Sequence, residues 1–401
     1  MARRIAILGG GPAGSALALG LVERGVDPGD LVVIDKARFP RPKLCGGALT
    51  WRGTQALAAL VGEPAGGART GSLEFRSSIG ALDIYERGTQ WLYDRSLLDD
   101  VLLSAVKARG VEVREGTTVT ALEPAQDGWT VRMGRVAETY PWVAGADGAC
   151  GISRRASGLK GGLMGRLVEA VYEPTSGAPD PSRLVFDFDP VMDGIPGYAW
   201  IFPYPSHDGA QGLYKLGIMD GRGRVPGSTL RAWTERFAAR HGFRLVDDKI
   251  AGWPERFFTP GSQGHRPGLV LVGEAYGIDP LLGEGIAPSL AHASYAAERL
   301  KEALDQGQSR LRGYESRFMR TIEGKNLRFQ TYLADLIYGR TGPRWLRVLF
   351  ELPRLRALGL TRREAYGRLA GHAPSLMASY AWHVLTRGLP SSEPPACSTA
   401  S

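Results

Sequence analysis

The residues with the most specific chemistry lie near the start of the chain. The apolar run Ile5 to Leu8 passes straight into Gly9, Gly11 and Gly14, spaced G-x-G-x-x-G, and an amphipathic run from Ser15 to Arg24 follows. In such a strand, turn and helix each glycine has its own task. Gly9 allows the tight turn, Gly11 lets a pyrophosphate approach bare backbone, and Gly14 lets the helix pack close to the strand. The phosphates then meet unpaired N–H groups at the positive end of a helix. A second apolar run, Leu31 to Ile34, ends in Asp35, about 20 residues past the glycines, where a ribose hydroxyl needs a carboxylate. In a chain with 54 glycines the spacing alone says little. The spacing, the strand before it and the acid after it together define a βαβ unit for an adenine dinucleotide.

Other reactive side chains are weaker signals. Cys45 stands between Pro42 and the Gly46-Gly47 pair. A thiol on such a loop can move a proton, while a small buried apolar residue is the bland alternative. Tyr198, Trp200 and Phe202 alternate, so they share one face of a strand. They read either as aromatic core or as the wall of a hydrophobic tunnel. The histidines (His207, His241, His265, His292, His372 and His383) show no metal-ligand spacing. Cys45, Cys150 and Cys397 are too few and too widely spaced for a disulfide framework or a zinc site, so a reducing, cytoplasmic setting is expected. No Ser/His/Asp order with a nucleophile elbow is present.

The elements that must position these residues follow from length and pattern. The chain has 401 residues, 43% hydrophobic and 22% charged, an ordinary globular composition with room for two domains. No apolar run approaches the length of a membrane span. The loop from Lys36 to Gly47 is irregular, broken by proline and glycine. Ser96 to Arg109 reads as a helix with Leu98, Leu102 and Val106 on one face. Short strands are expected near Val111 to Val113, Val119 to Leu122, Trp129 to Met133 and Tyr140 to Ala144. An antiparallel sheet is expected between Arg166 and Met219, covered by a helix from Thr229 to Arg240 with Ser228 as its N-cap. A strand at Leu269 to Val272 returns to the first domain. From Leu311 to Arg387 the pattern is helical, with breaks at Gly342-Pro343, Pro353 and Pro374. The tail from Leu389 is expected to be disordered. The domain division is therefore residues 1–160 with 266–305 for the dinucleotide, 161–265 for the substrate sheet, 306–388 helical, and 389–401 as tail.

Together the separated motifs resemble the single-Rossmann FAD oxidoreductases that include p-hydroxybenzoate hydroxylase, flavin-dependent halogenases and geranylgeranyl reductases. The resemblance covers about residues 1 to 300 and implies an α/β fold: one Rossmann FAD-binding unit, an antiparallel-sheet substrate domain and a helical C-terminal region. It rests on the glycine turn with Asp35, on Arg95 with Asp99, on Asp147-Gly148 with Ser153 and Arg154-Arg155, and on Gly273-Glu274 followed by Gly283-Glu284-Gly285-Ile286. Three segments point within it to the geranylgeranyl reductases: Arg41-Pro-Lys-Leu-Cys45-Gly46-Gly47, Tyr198-x-Trp200-x-Phe202-Pro203, and the Gly-Glu-Gly-Ile helix start. The implied FAD contacts are Gly9, Gly11, Ala13, Gly14, Asp35, Lys36, Lys43, Cys45, Gly46, Gly47, Arg95, Asp147, Gly148, Gly273, Glu274, Gly283, Gly285 and Ile286. Tyr198, Trp200 and Phe202 are the implied substrate contacts, Cys45 is the implied catalytic residue, and no metal is expected.

The activity so implied is FAD-dependent reduction of carbon–carbon double bonds in a hydrophobic, isoprenoid-type substrate. Reduced flavin would give a hydride to one alkene carbon, and a nearby acid would protonate the other. An FAD monooxygenase tailoring a polyketide or aromatic compound is the second reading, ahead of a halogenase or a non-enzymatic flavoprotein. With no second dinucleotide motif, NAD(P)H or another reductant is expected to meet the flavin transiently. The net charge of +8 is concentrated late, between Arg340 and Arg368. It reads as a solvated surface, as contact with an anionic membrane, or, most remotely, as nucleic-acid binding. A lipid substrate, peripheral membrane contact, no nucleic acid, and a monomer or weak homo-oligomer are the partner expectations.

Overall fold

A computed structural model describes residues 4–177, 179–206 and 212–357, with the backbone alone at 84–89 and 351–357. The short apolar runs of the sequence become the strands of a six-stranded sheet, ordered His265–Arg266, Leu269–Leu271, Trp142–Gly145, Ile5–Leu8, Leu31–Ile34 and Glu112–Arg114. All neighbours are parallel except His265–Arg266. Parallel strands are covered on both faces, which is why these runs are continuously apolar. Ile5, Ile7, Leu31 and Val33 pack with the helices Pro12–Glu23, Arg95–Ala108 and Ile286–Asp305. Ala6, Leu8, Val32 and Ile34 face a separate three-stranded sheet of Ala121–Ala125, Gly128–Met133 and Val136–Tyr140.

The second large sheet has nine strands. Its centre is Leu163–Pro174, Tyr214–Asp220, Ala199–Pro203 and Arg183–Asp187, all antiparallel neighbours. One face carries Val168, Ala199, Ile201, Leu216 and Ile218 against the helix Gly227–Arg240. The other carries Tyr198, Trp200 and Phe202, with Ile337, Tyr338, Leu346 and Phe350 from the C-terminal helices Ile322–Ile337 and Gly342–Ala357.

Several expectations need correction. The hairpin Ala68–Ser77 and Gly80–Leu92 joins the second sheet, although the sequence division placed it with the dinucleotide-binding part. Ser72 to Arg76 pair in parallel with Arg183 to Asp187, a contact between segments far apart in the chain. The helix expected from Thr229 begins at Gly227, with Pro226 at the N-cap position and no side-chain cap, so Ser228 is not its cap. Proline fixes the entry geometry there without a hydroxyl. The run Tyr140 to Ala144 is two strands in two sheets, divided at Pro141, which has no N–H for a ladder. The last helix continues through Pro353 at the cost of one internal hydrogen bond. Pro374, His207, His372, His383, Cys397 and the tail from 389 lie outside the described residues. Among the described residues no helix is long and apolar enough to cross a membrane, and no group of residues could hold a metal.

Candidate functional site

The glycine turn is built from backbone packed on backbone. A Cβ on Gly14 would lie 1.8 Å from the Gly9 carbonyl oxygen, and one on Gly9, at φ +107°, 2.4 Å from that of Ala146. Gly11 differs: its Cβ would find nothing nearer than Arg41 Nη2 at 3.5 Å, which leaves open space over the turn. The helix that follows starts at Pro12, with Ala13 buried in its first turn, no side-chain cap and no acid in that turn. Its positive end is left for an anion. Asp35, at the tip of the second strand, accepts from the Gly10 N–H through Oδ2 at 2.7 Å and from the Ala37 N–H through Oδ1 at 2.8 Å. Each oxygen keeps a lone pair for a further donor. Lys36 beside it is exposed.

Positive charge is brought to this turn by Asp99, which is fully buried. It accepts from Arg95 Nε at 2.9 Å and Nη2 at 3.0 Å, and pairs with Arg41 Nη2 at 3.1 Å. One carboxylate thus holds two guanidiniums and leaves a net positive charge. Burial opposes the charge on Arg95, but Asp99 more than offsets it, and the same guanidinium faces the Cys45 thiol.

Asp147 follows the strand Trp142–Gly145 and accepts from the Ser153 N–H at 2.9 Å and from the Ser153 hydroxyl. Burial pushes its carboxyl up. Gly148 stands beside Glu274, whose Oε2 would be 3.5 Å from a Cβ there. Arg154 is a clamp: it donates to the carbonyls of Ala275 at 2.7 Å, Tyr276 at 3.1 Å and Lys160 at 3.0 Å. Burial, with Arg256 nearby, lowers its pKa to about 10. Arg155 is exposed. Gly273 packs on Ala13 and donates its N–H to His292 Nδ1 at 3.1 Å. His292 Nε2 therefore carries the proton and meets the Tyr314 hydroxyl at 2.8 Å. Burial drops this histidine to about 3 and keeps it neutral. Glu274 lies near Lys43 and Arg95, and burial raises its carboxyl.

The loop through Gly283 leads to Gly285 at the N-cap position and to Ile286, which opens a 20-residue helix without a side-chain cap or an acid in its first turn. Asp279 braces the loop by accepting from the N–H groups of Leu281 at 2.7 Å and Leu282 at 3.1 Å, and burial pushes it up to about 7. The Tyr198 hydroxyl donates to the Leu282 carbonyl at 2.5 Å, and the Tyr338 hydroxyl to that of Leu281.

Cys45 is half-buried on the loop between the two sheets. The Gly47 N–H donates to its sulfur at 3.4 Å. Its own N–H donates to Glu169 Oε1 at 3.2 Å, and its carbonyl accepts from Lys215 Nζ at 2.8 Å. A Cβ on Gly46 would lie 2.7 Å from the Phe202 ring, and one on Gly47, at φ +79°, 2.2 Å from the Tyr93 carbonyl oxygen. The Lys43 ammonium sits 3.9 Å over the Trp253 ring, and burial lowers its pKa against the pull of Glu274. Tyr198, Trp200 and Phe202 do share a face, with ring centroids 5.8 and 6.3 Å apart, and are buried among Phe186 and Phe188. Glu255 brings Oε2 toward Gly283, and among the described residues that atom has no hydrogen-bond partner.

The structure brings Arg41, Arg95 and Asp99 beside the glycine turn and sets Cys45 and Gly46 between Arg95 and the Trp200 and Phe202 rings, while Lys36 and Arg155 are exposed. Sequence reasoning gave no role to Arg41, Glu169, Lys215 or Glu255. Arg41 enters it only as the first residue of the Arg41-to-Gly47 segment. The others lie on strands whose pairing is not local. Open backbone at Gly11, two uncapped helix starts and the arginine pair on Asp99 fit a dinucleotide with a negatively charged pyrophosphate.

Known proteins agree. Residues 3–186 match the family model described as an FAD binding domain. Digeranylgeranylglycerophospholipid reductase 1 of Methanopyrus kandleri is 26% identical, over 78% of this chain and 85% of that protein. Menaquinone reductase of Mycolicibacterium smegmatis is 29% identical, over 73% and 75%. Among solved structures, a geranylgeranyl bacteriochlorophyll reductase-like protein of Thermoplasma acidophilum superposes with a TM-score of 0.75 at 19% identity, covering 94% of this chain and 98% of that one. Halogenase PltM in complex with phloroglucinol and FAD gives 0.67 at 14%, covering 97% and 88%. The chain is an FAD-dependent oxidoreductase, and in sequence and fold it is similar to the superfamily that unites geranylgeranyl reductases and flavin-dependent halogenases. Within that superfamily it is geranylgeranyl reductase-like.

Proposed function

We propose that this enzyme reduces carbon–carbon double bonds of a hydrophobic, isoprenoid-type lipid. The observation that carries the reading is the packing of Gly46, next to Cys45, on the Trp200 and Phe202 rings, with Arg95 on the other side of the thiol. A proton-bearing group thus stands between the charged dinucleotide crevice and an apolar aromatic wall. The names of the two reductases similar in sequence point the same way.

FAD, once bound and reduced by two electrons, would supply the hydride. Arg41, Arg95 and the start of the helix at Pro12 would hold the pyrophosphate, and Asp35 the ribose. Asp147, Gly148, Gly273 and Glu274 would line the rest of the dinucleotide, and Lys43 with the helix start at Gly285 and Ile286 would favour negative charge there. Tyr198, Trp200 and Phe202 keep water from the alkene. The Cys45 thiol gives its proton to the alkene carbon that does not receive the hydride, and the thiolate is reprotonated from solvent. NAD(P)H or another reductant restores the cofactor. The enzyme works in the cytoplasm as a monomer or weak homo-oligomer. It takes its substrate from an anionic membrane surface, with the late arginines, Arg340, Arg344 and Arg347 among them, supplying attraction of about 1 kcal/mol each at most.

The test is anaerobic incubation of the dithionite-reduced protein with a panel of prenyl lipids and prenyl quinones, followed by mass spectrometry. A gain of two hydrogens per reduced bond is expected. No hydrogen gain on any lipid, with oxygen inserted into an aromatic compound in air, would overturn the reading in favour of a monooxygenase.

A further inference from the structure

We propose that the buried Glu169–Lys215 pair is a positioning device for Cys45, gripping both polar groups of its backbone from the second sheet. For its effect on turnover the proposal rests on the proton-donor role given to Cys45 above; for the geometry of the loop it does not.

The loop from Lys36 to Gly47 belongs to no strand or helix, so no ladder of backbone bonds fixes Cys45. What fixes it comes from two neighbouring central strands. Glu169 Oε1 accepts the Cys45 N–H at 3.2 Å, Lys215 Nζ donates to the Cys45 carbonyl at 2.8 Å, and the two side chains stand 3.7 Å apart. Glu169 is 3% exposed and Lys215 7%. An ion pair buried to that degree gives up its hydration and is often no more stabilising than two apolar side chains of the same size. Its distinctive property is directional: one partner only accepts, the other only donates, and Cys45 offers them one of each.

The surroundings leave the pair little freedom. Glu169 lies opposite Gly217, and a Cβ on Gly217 would be 2.3 Å from the Trp200 ring. The indole therefore crosses that glycine and turns its N–H toward the Glu169 carboxylate, outside hydrogen-bonding geometry. Lys215 also lies 4.4 Å over the Tyr204 ring. With the peptide groups of Cys45 held and Gly46 seated on Phe202, the main freedom left to the sulfur is rotation about χ1. The Gly47 N–H and the Arg95 guanidinium limit that rotation. Burial raises the Glu169 carboxyl while Lys215 opposes the rise, so loss of the lysine removes both the donor and the charge that opposes that rise.

The experiment compares the FAD-loaded wild type with Lys215→Met, Glu169→Gln and Lys215→Arg. The rate of Cys45 modification by N-ethylmaleimide is followed by peptide mass, with the exposed Cys150 as internal reference. Lys215→Met and Glu169→Gln are expected to speed modification by about tenfold or more through local opening of the loop, with the yellow colour retained. Lys215→Arg keeps charge and donors and is expected to restore the wild-type rate. On a reducible prenyl lipid, kcat should fall in the first two variants with KM unchanged. Wild-type modification rates in both, with FAD bound, would overturn the proposal. So would a rate in Lys215→Arg as fast as in Lys215→Met. If a lone charge prevents folding, the double variant Glu169→Leu with Lys215→Met removes both and is judged by the same rates. The maleimide rates need no substrate, so failure of the prenyl-lipid reading alone would leave them unchanged.

Discussion

The glycine turn and the cysteine loop are both crowded at their glycines, but the neighbours differ in kind. Around Gly9 and Gly14 the crowding atoms are the carbonyls of Ala146 and Gly9. Around Gly46 and Cys45 they are side chains: Phe202, Trp200, Glu169 and Lys215. Backbone cannot step aside without losing the strand or helix it belongs to, whereas a ring or a carboxylate can be exchanged. The first region is thus fixed by the fold. The second can be tuned one neighbour at a time.

The largest effect should come from Gly14→Ala, since a methyl 1.8 Å from a carbonyl oxygen has nowhere to go. Overpacking of this kind costs about 3 kcal/mol or more, and little folded, yellow protein should be recovered. Gly11→Val, in the open space beside Arg41, should fold but purify colourless, as circular dichroism and flavin absorbance would show together. A folded, yellow Gly14→Ala would erase the contrast. Phe202→Ala should cost about 3 kcal/mol in chemical denaturation yet keep FAD, because the lost contacts are all on the apolar side. Cys45→Ser should keep the colour and lower kcat by about a hundredfold, the ordinary loss for a general acid. Full activity in that variant would strip the loop of its chemical role.

The smallest effect concerns pH and returns to the backbone side. His292 is held neutral at about 3 in the folded protein, below its unfolded value near 6.5. The unfolded chain therefore takes up the proton first, and stability is lost as pH falls below 6.5 toward 3. His292→Gln should show a smaller fall in Tm between pH 7 and pH 4.5 than the wild type. An equal fall would place the acid sensitivity elsewhere, His241 at about 4 being the next candidate.

The same contrast explains what could be read from the sequence. The turn, Asp35 and the helix start at Ile286 are local patterns, so their spacing reports their geometry directly. Cys45, Tyr198, Trp200 and Phe202 could be named one by one, but not the way Gly46 seats on two of those rings. Glu169 and Lys215 look in sequence like ordinary charges in alternating strands, and only strand order shows that both point inward. The hairpin of Ala68–Ser77 and Gly80–Leu92 escaped for the same reason, since its parallel partner strand begins at Arg183. Ser228 misled because hydroxyl capping is the common way to begin a helix, and here Pro226 serves instead.

That hairpin also bears on how the protein is made. Glu74 and Arg183 bond across 109 positions of sequence, so during synthesis the Ala68–Ser77 strand leaves the ribosome long before its parallel neighbour. Until Arg183–Asp187 emerges, one edge of the hairpin has no partner, and an open edge invites pairing with other nascent chains. Neither half of the molecule can then mature alone. The first sheet is waiting for Leu269–Leu271 while the second waits for residues threaded between its own strands. Cutting the gene after residue 160 would leave both sheets with raw edges, the first still lacking Leu269–Leu271 and the second Arg183–Asp187.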